Sequence, residues 1–366
     1  MPPYRHVLYG FCLETDYCFR TPMTAAPPGR AHDLQFLLVR VAEPQKFEPV
    51  TCLFQSAEKN RFGESSVQGY ALPTGIVMRF PRVADFWLCP GKIRCELHDP
   101  SLEFMVEVCL LGHVMAYYLE LSGLAALHAG AVVHGEKAVL FAADRTGGKS
   151  TMVASLVKEG FPLLADDISA LTAHDGTVYC RHGFPQMKLT PEQVERFVGD
   201  FDDFPLVHPS FAKLSVPASR VGEVQSTTLP VACIYLLERC LPGKPAGGAE
   251  RVRIEPVAAG EAMIQLVRHA FLVQLLDAHA DCRLLGQAHS SAKQGLKASR
   301  FHLLARITQS VPVKRLCYPS GYEYLPAVHR AIEADLAKPA ADASVNRHKN
   351  EDVVLASASR WESALR

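Results

Sequence analysis

The 366-residue chain has no excess of either charge: Lys plus Arg and Asp plus Glu each number 38. That balance leaves no electrostatic footprint for nucleic acid or for an anionic membrane surface, although a local basic pocket stays compatible with it. Its eleven cysteines contain no Cys-x-x-Cys pair and stand singly between Cys12 and Cys317. An odd number at irregular spacing fits neither a disulfide framework nor a zinc site, so reduced thiols and a cytoplasmic location are expected. No long apolar run is free of interruption. The longest, Phe104–Leu121, contains Glu107, His113 and Glu120, and is expected as a buried helix rather than a membrane span. The first ten residues carry Arg5 and His6 and no long apolar run, so they do not read as a signal peptide. Internal repeats and low-complexity tracts are also missing.

What is present is enough apolar material, 48% of residues, for a sizeable core. The length allows two domains. Residues 1–103 read as a β-rich N-terminal domain, with strand-like runs at Leu34–Val41, Val50–Phe54, Gly75–Phe80 and Lys92–Leu97 between Pro/Gly-rich punctuation. No chemical motif is visible in them. Residues 104–337 alternate strands and helices, which makes this part α/β. Strands are expected at Leu127–Val133, Ala138–Phe141, Phe161–Ala165, Val178–Arg181, Ala232–Leu236 and Val311–Cys317. Helices are expected at 104–121, Lys149–Glu159, Pro191–Val198, Gly260–Leu275 and Tyr324–Leu336. Residues 338–366 are polar and Ala/Ser-rich and read as a flexible tail.

One segment carries chemistry on its face. Ala143-Asp144-Arg145-Thr146-Gly147-Gly148-Lys149-Ser150, followed by Thr151, fits the [AG]-x4-G-K-[ST] form of a phosphate-binding loop. Gly147 and Gly148 let the backbone aim successive N–H groups at one phosphate, and the helix that follows adds its N-terminal dipole. Lys149 would offset the β/γ-phosphate charge, and Ser150 would offer a hydroxyl to Mg²⁺. The apolar strand before the loop and the helix after it are the context such a loop needs. Ala143 stands where the first Gly is usual, and Arg145 is expected to face solvent.

The strand Phe161–Ala165 ends in Asp166-Asp167, a pair that could hold Mg²⁺ and take a proton from a hydroxyl. Which aspartate does which stays open. Successive strand residues face opposite ways, so both can act at one site only if the strand end twists. His128 lies on an apolar stretch, where a lone His is more often a core residue than a functional one.

In this order, His128-Ala129-Gly130, the loop at 143–150 and Leu164-Ala165-Asp166-Asp167 resemble the catalytic core of HPr kinase/phosphorylase, and more closely its divergent HPr kinase-related members. The run Gly183-Phe184-Pro185-Gln186-Met187-Lys188-Leu189 is similar to the family's Gly-Tyr-Pro-Arg-hydrophobic-Lys/Arg-Leu segment, with Gln186 replacing the usual Arg. The resemblance covers about Gly112 to Ile332. It implies an α/β, P-loop kinase core of HPr kinase/PEP carboxykinase-like type with a β-rich N-terminal domain. It also implies ATP and Mg²⁺ as cofactors and transfer of the γ-phosphate to a Ser hydroxyl. By the resemblance, Asp166, His128 and Lys149 are catalytic. Asp144, Arg145, Thr146, Gly147, Gly148, Lys149, Ser150, Thr151 and Lys188 bind nucleotide, and Ser150 and Asp167 bind metal. The acceptor it implies is a peptide or small protein bearing Ser, such as a lasso-type precursor peptide, with no nucleic acid, no membrane and a homo-oligomer as the assembly. Two other classes remain open: a small-molecule kinase, and a non-catalytic nucleotide-binding protein. Lys213, Arg315 and Tyr318 are further pocket candidates for which a surface role is expected.

Overall fold

The computed structural model describes residues 3–41, 51–60, 62–72, 75–199, 204–208, 211–240, 252–272 and 296–338. The tail expected over 338–366 lies outside them beyond Lys338. The chain is a mixed α/β protein, and among the described residues it has two nine-stranded sheets and one three-stranded sheet.

The N-terminal sheet holds β1 (Tyr4–Leu8), β2 (Phe11–Thr15), β3 (Thr24–Ala25), β4 (Leu34–Arg40), β5 (Thr51–Gln55), β6 (Gln68–Leu72), β7 (Gly75–Phe80), β8 (Ala84–Cys89) and β9 (Lys92–Leu97). Their order is β3-β1-β2-β4-β9-β8-β7-β6-β5. Strands β5 to β9 form an antiparallel meander, while β4 joins β2 and β9 in parallel. One face of this sheet is apolar, with Leu34, Phe36, Ile76, Met78, Phe86 and Leu88 almost or fully buried.

That face is covered by the segment Phe104–Leu121, which is long and apolar enough to cross a membrane but is 78% buried inside the fold. It is not one regular helix. α1 (Phe104–Cys109) passes into a π turn at Leu110–Val114, where Gly112 takes φ −101° and ψ −107°, and then into α2 (Met115–Leu121). Val106, Leu110, Val114, Tyr117 and Leu121 share one apolar cluster with the N-terminal sheet. Buried Glu107 accepts from Tyr17 Oη and from the amides of Arg20 and Thr21, which ties α1 to the segment after β2. The boundary expected after residue 103 therefore falls between a sheet and the helix that completes its core.

The second sheet contains β10 (Ala125–Leu127), β11 (Ala129–His134), β12 (Lys137–Ala142), β13 (Leu163–Ala165), β14 (Ser169–His174) and β15 (Thr177–Arg181). A small third sheet has β16 (Gln186–Leu189), β17 (Leu206–His208) and β18 (Phe211–Pro217). The large sheet resumes with β19 (Leu229–Cys240), β20 (Arg253–Pro256) and β21 (Val313–Pro319). The 12-residue β19 is the hub, parallel to β12 and to β21 and antiparallel to β15. The helices are α3 (Lys149–Lys158), α4 (Pro191–Phe197), α5 (Ala259–Arg268), α6 (Leu296–Ser310) and α7 (Leu325–Leu336).

Local chemistry explains several boundaries. β11 and β12 turn through Gly135 at φ 60°, a left-handed position that Gly occupies without strain. α4 starts in a full capping box between Thr190 and Gln193, with Pro191 in its first turn. α5 stops at Arg268, short of the expected Leu275, because the chain turns to bridge Ala270 with Leu127. α6 and β14, β16 and β18 carried no signal strong enough to be expected.

Candidate functional site

The loop between β12 and α3 is tight. Gly147 N–H donates to Asp144 C=O at 2.8 Å, and a Cβ on Gly147 would come within 2.9 Å of both Ala143 Cβ and Asp144 O. Gly at 147 is therefore what lets Ala143 stand in the first position. Gly148 is left-handed at φ 93°, and its would-be Cβ lies 2.9 Å from Tyr318 Oη. Thr146 is also left-handed, at φ 66°, a strained position for a β-branched residue. Arg239 donates to Thr146 C=O at 3.1 Å and holds the loop from β19.

α3 begins at Lys149, so the buried Lys149 and Ser150 sit in its first turn. Lys149 Nζ lies 3.5 Å from Asp167 Oδ1. Lys188 Nζ, from β16, lies 2.6 Å from Asp167 Oδ2, and His128 Nδ1 lies 3.4 Å from Asp167 Oδ1. Lys213 Nζ, from β18, donates to Ser150 Oγ at 3.3 Å. Lys149, Lys188 and His128 thus converge on Asp167, and Lys213 reaches Ser150 beside them.

The strand ends in a turn at the second aspartate. Asp167 has φ 68°, and Ile168 N–H donates to Asp166 C=O at 2.8 Å. This is a three-residue turn with a positive central φ, a strained geometry that Asp tolerates better than most residues. The two carboxylates have different partners. Asp167 is surrounded by cations. Asp166 Oδ2 accepts from the Lys188 amide at 2.9 Å, while its buried Oδ1 has no hydrogen-bond partner.

The electrostatics follow from that arrangement. Although burial works the other way, the Lys188 and Lys149 ammoniums and His128 hold Asp167 well below the usual carboxylate range. Burial lowers Lys188, but the charge and hydrogen bond of Asp167 together with the charge of Asp166 outweigh it, so its value goes up. Burial and the nearby Lys149 push His128 down to about 4, so the imidazole is neutral at pH 7. Burial also lowers Lys213. His128 is pinned through its backbone, its N–H donating to His269 C=O at 2.7 Å.

Other expected residues stand apart from this cluster. Asp144 is exposed and 3.5 Å from Arg268, and Arg145 faces solvent 3.7 Å from Glu58. Thr151 Oγ1 accepts from Gln193 Nε2 at 2.7 Å, a link between α3 and α4. Gln186 is buried and hydrogen-bonded to Ser215, so it joins β16 to β18 rather than opening onto the loop. Arg315 pairs with Glu261 and Glu238 away from the loop. Two residues expected at the surface are not there. Lys213 reaches Ser150, and Tyr318 is buried against Gly148, where burial pushes its phenol up to about 12. Neither had a local sequence signal, because each arrives from a strand distant in the chain.

Among the described residues no group of three or more His, Cys, Asp and Glu is placed to hold a metal. The oxygen set of Ser150, Asp166 and Asp167 still fits Mg²⁺, which commonly takes one or two carboxylates and completes its shell with water and substrate phosphates.

No family model and no curated protein matches the chain. Its class, from its own architecture, is a mixed α/β protein with large sheets. Among solved structures it is similar to the Hpr(Ser) kinase/phosphatase from Coxiella burnetii, at 12% identity and a TM-score of 0.29, over 58% of this chain and 96% of that one. A likeness this low assigns no activity, which has to be read from the site itself.

Proposed function

We propose that this chain is an ATP-dependent serine kinase that transfers the γ-phosphate to a Ser hydroxyl of a peptide or small protein, with a ribosomal precursor peptide of the lasso type as the favoured acceptor. The observation that carries the reading is the buried, unpartnered Asp166 Oδ1 beside a helix start ringed by Lys149, Lys188 and Lys213. A free carboxylate oxygen can accept a hydroxyl proton, and a cationic helix N-terminus can hold phosphates.

In this reading Asp166 takes the Ser proton as the new O–P bond forms and the bond from the γ-phosphorus to the ADP oxygen breaks. Lys149 and Lys188 stabilise the charge that develops on the transferring group. Neutral His128 orients Asp167 or the entering hydroxyl without adding charge. Ser150 and Asp167 would hold Mg²⁺, which would offset phosphate charge. The crowding of cations on Asp167 supports giving the base role to Asp166. The balanced charge and the ten free cysteines among the described residues support a cytosolic setting.

The test is mass spectrometry of Ser-containing precursor peptides and of HPr after incubation with the protein, Mg²⁺ and ATP. A gain of one phosphate on one acceptor, lost in Lys149→Ala and Asp166→Asn, is expected. Transfer to a small molecule instead, or nucleotide binding without any transfer, would sink the peptide-kinase reading.

A further inference from the structure

The N-terminal sheet reaches the site through its first hairpin. β1 and β2 are joined by Tyr9 and Gly10, both left-handed at φ 49° and 79°. A two-residue turn with two positive φ values favours Asn-Gly, because a bulky residue is strained in the first place. Here that place holds a tyrosine that is fully buried. The turn is clamped from the second sheet: Arg181 Nη1 donates to Tyr9 C=O at 3.1 Å and lies 3.2 Å from where a Cβ on Gly10 would be. The strain is retained while the ring is fully buried.

Gly183 shows where the ring lies. A Cβ there would sit 3.4 Å from Ala165 Cβ and 3.6 Å from Tyr9 Cε1, so the ring lies against Gly183 next to the strand end that carries Asp166. Phe184 meets the ring edge-on at 6.5 Å. This accounts for two residues of the Gly183–Leu189 run that the catalytic reading does not use.

Two buried polar atoms here lack partners: Tyr9 Oη, a donor, and Asp166 Oδ1, an acceptor. Buried groups of this kind are costly unless paired or bridged by water. Burial raises the Tyr9 phenol well above its ordinary value, with Asp167 and Asp166 adding to the effect, so it stays protonated and able to donate. We infer that Tyr9 is a positioning residue for Asp166, its phenol donating to one lone pair of Oδ1 directly or through one water and leaving the other for the hydroxyl proton, so that the N-terminal sheet sets the orientation of the carboxylate. The inference deepens the kinase reading and rests on it for the role of Asp166. His182 is the competing partner, since both its ring nitrogens are also buried and unpartnered.

Full-length Tyr9→Phe, which keeps the ring, is compared with Asp166→Asn, His182→Gln and the two double variants that contain Tyr9→Phe. In thermal unfolding, the Tyr9→Phe and Asp166→Asn shifts should fail to add by about 2–4 °C, as expected for groups in contact. In the transfer assay, Tyr9→Phe should lower kcat about 10-fold or more, the scale of a misplaced catalytic group, with the KM for ATP within about twofold. Additive shifts with Asp166→Asn, or non-additivity with His182→Gln alone, would overturn the inference. If the unaltered protein transfers phosphate to no acceptor, the kinase reading falls, while the unfolding cycle still decides whether Tyr9 and Asp166 are coupled.

Discussion

Lys188 Nζ lies 2.6 Å from Asp167 Oδ2, the shortest ion-pair contact at the candidate site. The same lysine also donates its backbone N–H to Asp166, so one residue of β16 sets both carboxylates. Replacing Lys188 with Met keeps the backbone bond and deletes the charge. Phosphate transfer should fall about 10²-fold, the scale for loss of one electrostatic donor at a reacting centre. Steady-state transfer rates set beside the melting temperature of the variant check this; unaltered kcat/KM would remove Lys188 from the mechanism.

Asp167 is held in a left-handed turn at φ 68°. Asn and Ala both remove its charge, but Asn tolerates that backbone and Ala does not. Asp167→Ala should therefore be less stable than Asp167→Asn by about 1 kcal/mol. Urea unfolding of the two variants measures the difference, and equal stability would mean that the turn relaxes.

Gly148 combines a left-handed φ with a close approach to Tyr318 Oη. Gly148→Ala should weaken ATP binding, followed with a fluorescent analogue. Adding Tyr318→Phe removes the steric contact but leaves the backbone cost. The double variant should recover only part of the affinity, and full recovery would show that the steric contact alone matters.

The depressed histidines set an acid limit. His128 and His182 are both pushed down to about 4, chiefly by burial. A folded value below the unfolded one near 6.5 gives stability that is present above pH 6.5 and lost as pH falls towards 4. Asp167, depressed from an ordinary value of 3.8, adds its loss only at still lower pH. Melting temperature should decline between pH 6.5 and 4, and His182→Gln should decline less. A parallel decline in the variant would exclude His182 as a cause.

Glu120 of α2 and Arg300 of α6 form an ion pair in which both side chains are almost fully buried, and Arg300 Nε donates to Glu120 Oε2 at 2.8 Å. Arg300→Met would leave the carboxylate buried with, among the described residues, the Ala126 amide as its remaining partner. The expected cost is about 3–5 kcal/mol by chemical denaturation. Replacing both partners, as Glu120→Gln with Arg300→Met, should recover much of it.

The sequence alone determined what depends on neighbours along the chain. The β12–loop–α3 unit was legible from 143–151 because a strand, two glycines and a helix start are written consecutively. α4 was legible from Thr190-Pro191-Glu192-Gln193, since its cap is made within four residues. Asp166 and Asp167 stood out as carboxylates at an apolar strand end. The tertiary structure alone decided what meets what. It brought Lys213 to Ser150 and Tyr318 to Gly148, and it laid the Tyr9 ring against Gly183 next to Ala165. It also turned Asp167 left-handed and placed Phe104–Leu121 in the core of the N-terminal sheet. The reason is physical: backbone turns and caps are settled over a few residues, whereas these contacts follow from sheet order. That order comes from burying whole apolar faces, and no short stretch of sequence carries it.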